Sequence, residues 1–209
     1  LKIFNPELGG TLAYEYGSFK RIINCRLHGK PDVGRKSVLQ QFSLQLDCLN
    51  PFWREEDEQK EDIASWVAAW HFPCVIEKDN SKSMIFGYRA ESVIVDCFNE
   101  GDVSTGMRVR FTALGTVTNP IILNVDTEEF IKLNVTMQTG DVIEVNTKYG
   151  SKGATLTRDG VKYDYFRKVD VDSTFMQLDI GDNNFRYDAD GGVNSMEVSI
   201  FYDKEYLGV

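Results

Sequence analysis

The sequence contains none of the short motifs that mark common catalytic and cofactor sites. A GxSxG elbow, an HExxH helix, a P-loop and a GxGxxG turn are all missing. Histidine occurs only twice, at His28 and His71. His71 lies between Trp70 and Phe72, where a packed or half-exposed ring is expected rather than a catalytic base. We therefore expect no enzyme and no catalytic, cofactor-binding or metal-binding residues. A cysteine–histidine nucleophile pair stays open, but nothing in the sequence favours one.

Paired cysteine motifs and long apolar runs are missing as well. The four cysteines, Cys25, Cys48, Cys74 and Cys97, form no CxxC pair, which excludes the usual spacing of a zinc site. Their even number permits disulfides. However, Cys48 and Cys97 fall on the apolar positions of alternating runs, so we expect reduced thiols that pack in a core. No run of 18 apolar residues occurs, and we expect no membrane partner.

The charge and the first residues of the chain limit its partners and its extent. The formal net charge is -9, and such an acidic surface repels phosphate backbones, so we expect no nucleic-acid partner. The 209 residues are 42% apolar, which is typical of a globular chain. The sequence starts Leu1-Lys2-Ile3-Phe4, without an initiator methionine or a signal peptide. It reads as an internal start, and a longer natural protein is expected.

Alternation of apolar and polar residues is the strongest pattern in the chain. It is clean over residues 42–48 and 107–113, and a period of two is typical of strands with one buried and one wet face. Short strands separated by turn residues indicate an all-β sandwich or jelly roll. Further strands are expected at residues 12–16, 19–26, 92–98, 130–135, 142–146, 161–166, 175–180 and 196–202.

The pattern predicts the orientation of two side chains and the position of one turn. Val109 and Phe111 should face inward, with the arginines that precede each of them facing outward, because side chains alternate along a strand. Asp159 and Gly160 suit a two-residue primed turn, which predicts a tight hairpin over residues 156–161.

The charged run at residues 54–62 is the best candidate for a domain boundary. It contains six carboxylates and follows Pro51-Phe52-Trp53. We therefore divide the chain into residues 1–53 and residues 54–209, the second part starting with an acidic linker. Residues 63–72 stay open, because their apolar spacing fits a helix that ends before Pro73 and also an extended crossover.

Carboxylates and aromatic residues allow two alternative sites. Residues 170–172 and 188–192 could in principle ligate calcium through oxygen, but neither has the spacing of an EF-hand loop, and solvated turns explain them. The 25 aromatic residues could form a sugar-stacking platform, whereas cores and subunit interfaces also favour aromatic side chains.

Several motifs along the chain resemble those of one known family, the distal tail proteins of siphophages. The resemblance covers nearly the whole sequence. It rests on Asn50-Pro51-Phe52-Trp53-Arg54-Glu55, Phe86-Gly87-Tyr88-Arg89, Gly101-Asp102-Val103-Ser104-Thr105-Gly106, residues 111–117, 123–132, 137–143, 145–147, 172–175, 181–183 and 185–187, and the final Tyr206-Leu207-Gly208-Val209.

The resemblance implies an architecture. Such proteins carry an N-terminal domain that closes into a hexameric ring under the tail tube, followed by a β-sandwich similar to galectins and carbohydrate-binding modules. Residues 1–53 would then be the incomplete second half of the ring-forming domain, because the family has a long stretch ahead of the segment that matches residues 1–10. The family also favours an extended crossover over residues 66–76, and with it the extended alternative for residues 63–72. We expect residues 1–209 alone to be mostly monomeric and the full-length protein to be hexameric.

The resemblance also implies a function. The protein would be a structural hub of a siphophage or prophage baseplate, located in the virion at the tail tip and assembled in the bacterial cytoplasm. Its partners would be further copies of itself, the tail tube protein, the tail-associated protein and the receptor-binding protein, with no cofactor. The alternative is a carbohydrate-binding module that recognises host wall polysaccharide, and a glycan-cleaving enzyme comes last.

Overall fold

The fold is almost entirely β, as the sequence predicts. The computed structural model describes residues 5, 7–17, 19–34, 42–64, 66–68, 87–89 and 94–209. In that part of the chain the helical elements are two 3-10 turns, Phe166–Lys168 and Val193–Ser195, and none of its helices is long and apolar enough to cross a membrane. The chain divides into one unit formed by Leu1–Glu58, Gly101–Val103 and Asp203–Val209, and a second formed by Gln59–Glu100 and Ser104–Tyr202.

The first unit contains a small antiparallel sheet and a two-stranded ribbon. Its strands are β1 Gly9–Tyr16, β2 Phe19–Leu27, β3 Asp32–Val33, β4 Phe42–Ser43, β5 Leu46–Asp47, β6 Trp53–Arg54 and β21 Glu205–Tyr206. The sheet order is β1-β2-β6-β21, with β5 also paired to β2, and β3 and β4 form the ribbon. Among the described residues β1 is therefore an edge strand, and the last strand of the chain closes the other edge.

The second unit contains the larger sheets. Its strands are β7 Gln59–Ala64, β8 Trp66–Ala68, β9 Gly87–Arg89, β10 Ile94–Asp96, β11 Thr105–Ala113, β12 Val117–Asn124, β13 Phe130–Lys132, β14 Thr136–Met137, β15 Val142–Asn146, β16 Gly153–Arg158, β17 Val161–Asp164, β18 Gln177–Leu178, β19 Asn184–Gly191 and β20 Met196–Tyr202. A seven-stranded sheet runs β17-β16-β15-β11-β20-β7, with β18 paired to β11. A five-stranded sheet runs β10-β19-β12-β13, with β14 paired to β12, and β8 pairs with β9.

The two large sheets bury their inner faces in one hydrophobic core, which makes the second unit a β-sandwich. Val109 and Phe111 of β11 contribute from the seven-stranded sheet, and Ile122 of β12 and Phe185 of β19 from the five-stranded sheet, all without exposed surface. The predicted inward positions of Val109 and Phe111 are thus confirmed. The sandwich follows directly from the alternation, because apolar residues at every second position create one face that must be covered.

The opposite face of β11 carries the two arginines, and they are more engaged than the sequence predicts. Nη1 of Arg108 donates to Oε1 of Glu144 at 3.0 Å, and Nε of Arg110 donates to the same oxygen at 2.9 Å. Both guanidinium groups also stack on Phe201, at 4.5 and 4.7 Å from its centroid. Arg110 is therefore part of a cross-strand cluster rather than a freely exposed side chain.

The orientation of β11 makes a direct stability prediction. Phe111→Ala should lower the free energy of unfolding by about 3–5 kcal/mol, because the ring is fully buried and its removal leaves a cavity. Arg110→Ala should cost less than about 1 kcal/mol, the range of partly exposed ion pairs. Urea unfolding followed by fluorescence would measure both. Equal losses for the two variants would contradict the observed register.

A buried carboxylate joins the β15 end of the sheet to the β16–β17 hairpin. Asp141 is 2% exposed, and its oxygens accept from Arg158 Nε at 2.7 Å and from the Gln138 amide at 2.8 Å. The hydrogen bond with Arg158 lowers the pKa of Asp141 from its usual value, against the opposing effect of burial. A charged carboxylate is affordable here because a guanidinium and a backbone amide replace its hydration.

This lowered pKa predicts a pH dependence. A carboxyl group with a lower pKa in the folded state stabilises the fold above its unfolded pKa of about 3.9, and that contribution disappears as the pH falls through the folded pKa. Asp141→Asn should therefore lower the melting temperature by several degrees at pH 7 and show a smaller further loss below pH 4 than the unchanged protein. Asp182→Asn, at an exposed turn, is the control. Parallel melting curves for Asp141→Asn and the unchanged protein at every pH would contradict this role.

The region around the predicted boundary is more ordered than a linker. Residues 59–62 belong to β7, which pairs with β20, and Oδ1 of Asp62 accepts from the Ser199 hydroxyl at 2.5 Å. Charge runs are usually solvated, which favours a linker, but Lys60 and Asp62 of this run are the exposed residues of a strand, β7. The extended alternative holds at β7 and β8, while residues 69–72 lie outside the described residues.

Two long strands, β12 and β19, are not predicted from the sequence pattern. β12 contains Asn119 and Pro120, a typical turn pair, and Asn119 has a positive φ of 50°. The proline is tolerated because it lies at a break in the pairing: β14 pairs with Val117–Thr118 and β13 with Ile121–Leu123. β19 includes the candidate calcium loop, but Phe185 and Tyr187 alternate into the core, and this alternation is the signal that could have identified the strand.

Candidate interaction surfaces

The candidate calcium carboxylates are already used by other side chains. Asp190 accepts from the Lys132 ammonium at 3.0 Å and from the Asn119 amide at 2.8 Å, and Asp170 accepts from Asn134 at 2.8 Å. These contacts lower the pKa of both carboxyl groups. Across the part of the chain that the structure describes, no three metal-ligating side chains are grouped to hold an ion. Turn and strand structure therefore explains both acidic segments.

The described cysteines are free thiols in two different environments. Cys97 lies in the sandwich core without exposed surface, and burial raises its pKa to about 12, with smaller contributions from Glu61 and Asp96. Cys25 and Cys48 are half-buried in the first unit, so core packing holds for Cys97 and not for Cys48. Cys74, His71 and Trp70 lie outside the described residues.

Thiol labelling would test this difference. With iodoacetamide at pH 8, Cys97 should stay unmodified, because a thiol with a pKa of about 12 contains only about one part in ten thousand thiolate and is also inaccessible. Cys48 should be alkylated in the folded protein, and denaturant should expose Cys97. Peptide mass mapping gives the readout. Equal labelling rates at the two residues would show that the core opens readily.

The motif at residues 50–55 contacts the end of the chain. Asn50 donates to Oε1 of Glu205 at 2.9 Å, and Trp53 pairs with Tyr206 in the β6–β21 ladder. The Tyr206 hydroxyl donates to Oε1 of Glu55 at 2.8 Å. Two segments that the sequence separates by some 150 residues are thus brought together within the first unit, which the sequence analysis did not predict.

Arg21 also contacts the closing strand and the residues after it. Its guanidinium lies 3.6 Å from the centroid of Tyr206 and 4.5 Å from that of Phe19, and it donates to the Gly208 carbonyl. A planar cation between two aromatic rings gains cation–π attraction without leaving the surface completely. Asp102 adds two contacts, since its amide donates to the Glu205 carbonyl and its Oδ2 accepts from the Leu207 amide.

In the part of the chain that the structure describes, β1 presents an exposed apolar face. All eight of its residues are exposed, including Leu12, Tyr14 and Tyr16, which share one face because they alternate. In the register with β2, Tyr16 lies opposite the exposed Phe19, which extends the apolar surface, whereas Ile23 opposite Leu12 is buried. Exposed apolar surface on an edge strand is typical of a protein–protein interface. We call Leu12, Tyr14, Tyr16 and Phe19 the β1 face.

A shallow groove lies in the same unit. It has a volume of about 500 Å³ and is lined by Gly9, Gly10 and Cys25 of the β1–β2 pair and by Leu49 and Asn50. Its lining also includes Asp47, whose Oδ2 lies 2.7 Å from Nδ1 of the exposed His28.

Comparison with protein families gives a match over the second half of the chain. Residues 100–206, just over half of the sequence, match the family described as "Siphovirus-type tail component, C-terminal domain". The chain belongs to the siphovirus-type tail component family. This membership confirms the resemblance found in the sequence and gives the chain a structural role in a phage tail. The comparison with curated proteins gives no match.

Solved structures share the fold of this family member. The Dit protein (gp 19.1) of phage SPP1, described as a paradigm of the hub adsorption apparatus in phages that infect Gram-positive bacteria, is 12% identical with a TM-score of 0.59, over 90% of this chain and 61% of that chain. A chain of the phage P2 baseplate in its activated conformation with Ca is 10% identical with a TM-score of 0.52, over 95% and 69%. The chain thus spans about three fifths of the length of the SPP1 protein.

Proposed function

We propose that this tail component acts as a hub at the tip of a siphophage or prophage tail, where it joins the tail tube to the tail-associated and receptor-binding proteins. The observation that carries the proposal is the β1 face, because a strand with three exposed apolar side chains is expected to be covered in an assembly. The names of the similar proteins, a hub adsorption protein and a baseplate chain, support it.

The proposal includes self-association and the absence of catalysis. A hub under a tail tube would be a closed ring of identical subunits, and six copies are expected from the family resemblance; such a ring needs a head-to-tail interface. The β1 face supplies one half of that interface. Asp141, Asp170 and Asp190 have hydrogen-bond partners within the chain, and no hydrolytic step is proposed. The protein would be located in the virion, at the tail tip.

Multi-angle light scattering on the full-length protein and two matched variants tests the proposed hub function. The unchanged full-length protein should form rings of six copies. Tyr14→Lys should reduce the ring fraction at least tenfold, because a lysine placed in an apolar interface must lose its hydration. Leu114→Lys is the control, since Leu114 is similarly exposed, 43% against 42%, and lies in the second unit.

Three outcomes are distinguishable. Rings in the unchanged and control proteins with loss in Tyr14→Lys support both the hub and the interface. Rings in all three proteins would show that β1 is not the contact surface. If the unchanged protein stays monomeric, the proposed hub function is contradicted.

A further inference from the structure

The β16–β17 hairpin and the residues around it are basic in an acidic protein. Residues 148–168 have a net charge of +4, whereas the whole chain has -9. The cations are Lys148, Lys152, Arg158, Lys162, Arg167 and Lys168, and the carboxylates are Asp159 and Asp164. Among the described residues, Arg158 pairs with Asp141, while Lys152 and Lys162 have no carboxylate within ion-pair distance. This surface therefore retains positive charge that can attract an acidic group.

Within the described residues β17 is also an edge strand, with one side of its backbone unpaired. It lies at one end of the seven-stranded sheet, and all four of its residues are exposed. Arg158 and Val161 flank a two-residue turn in which Asp159 and Gly160 have positive φ. The two residues that flank such a turn, here Arg158 and Val161, form a hydrogen-bonded pair. The Tyr165 amide donates to the Ala154 carbonyl, which indicates the same alternation of inward-bonded and outward-facing residues along β17. The amides and carbonyls of Lys162 and Asp164 must then point away from β16.

The side chains along this edge alternate in chemistry. Val161 and Tyr163, both about half exposed, lie on one face, and Lys162 and Asp164 lie on the other. Beside the strand, the Phe166 ring stacks on Phe175 at 5.9 Å. A shallow groove of about 390 Å³ runs past Lys162, Tyr163 and Phe166. An incoming strand would find apolar contacts at alternate positions and a cation between them.

We propose that β17 docks an extended acidic segment of a partner protein by strand addition, with a glutamate or aspartate opposite Lys162 and apolar residues opposite Val161 and Tyr163. Lysine on an edge strand ordinarily discourages pairing, because two like edges repel. Here the same charge repels a second basic hairpin and selects an acidic strand. An anionic polysaccharide could use the cations and the aromatic rings, but it would leave the outward backbone groups unused.

A labelled peptide would test the proposal. The probe is fluorescein-labelled Gly-Ser-Val-Thr-Val-Glu-Val-Thr-Val-Ser-Gly, and the matched peptide has lysine in place of the glutamate. By fluorescence anisotropy the glutamate peptide should bind at least tenfold more tightly than the lysine peptide. Lys162→Glu should reverse that preference. Lys30→Glu, at an exposed residue of the first unit, should not change it.

Hydrogen exchange distinguishes strand addition from other modes of binding. When the glutamate peptide binds, the amides of Lys162 and Asp164 should gain at least tenfold protection, while that of Tyr163, already bonded to β16, should change little. No preference between the two peptides overturns the proposal. Binding without protection at Lys162 and Asp164 also overturns it, as does tighter binding of poly(glycerol phosphate) than of the peptide. Self-association through β17 in the absence of peptide would make the occupant a second copy and would equally contradict an acidic partner. These results do not depend on ring formation.

Discussion

The burial of β11 between its neighbours is the constraint on which the second unit depends. β11 pairs with β15, β18 and β20, and its inward side chains, including Val109 and Phe111, have no exposed surface. Burying one such side chain contributes about 1.5–3 kcal/mol, against a total stability of about 5–15 kcal/mol for a domain. Gly106 shows how close the packing is, because a Cβ there would lie 2.5 Å from the Lys148 backbone. The rigid centre leaves the outer strands free to carry binding surfaces.

The first unit is held together differently. Its buried apolar residues in the described chain are few, namely Ile22, Ile23, Leu27 and Tyr206, and each keeps a small exposed fraction. Polar and cation–π contacts around Arg21, Glu55 and Tyr206 do much of the joining, and these are worth about 0.5–2 kcal/mol each. A unit with a small core and an uncovered apolar strand gains most from association, since a partner that binds only the folded form stabilises it. This explains why the proposed ring contact and the stability of the unit would be coupled.

The alternation of apolar residues and the turn residues predicted individual strands and turns, but they did not predict which distant segments pair. β15 and β20 match the predicted bounds to the residue, and the Asp159-Gly160 turn is observed with the expected positive φ values. β12 was missed because a proline next to an asparagine indicates a turn unless the gap in the neighbouring strands is known. Alternation also groups Leu12, Tyr14 and Tyr16 on one face, but it cannot tell whether that face is covered. The contact of Glu55 with Tyr206 depends on how the whole chain folds back, which no short window contains.

The exposed edge strands β1 and β17 differ in a way that predicts different kinds of contact. The exposed side chains of β1 are mainly apolar, so its contact should be governed by buried area and change little with salt. The β17 edge combines Lys162 with partly exposed Val161, so its attraction for an acidic strand should weaken as salt screens charges beyond about 8 Å at physiological ionic strength. A salt-insensitive contact suits a permanent structural joint, and a salt-sensitive one suits a partner that is selected by charge and added to the joint afterwards.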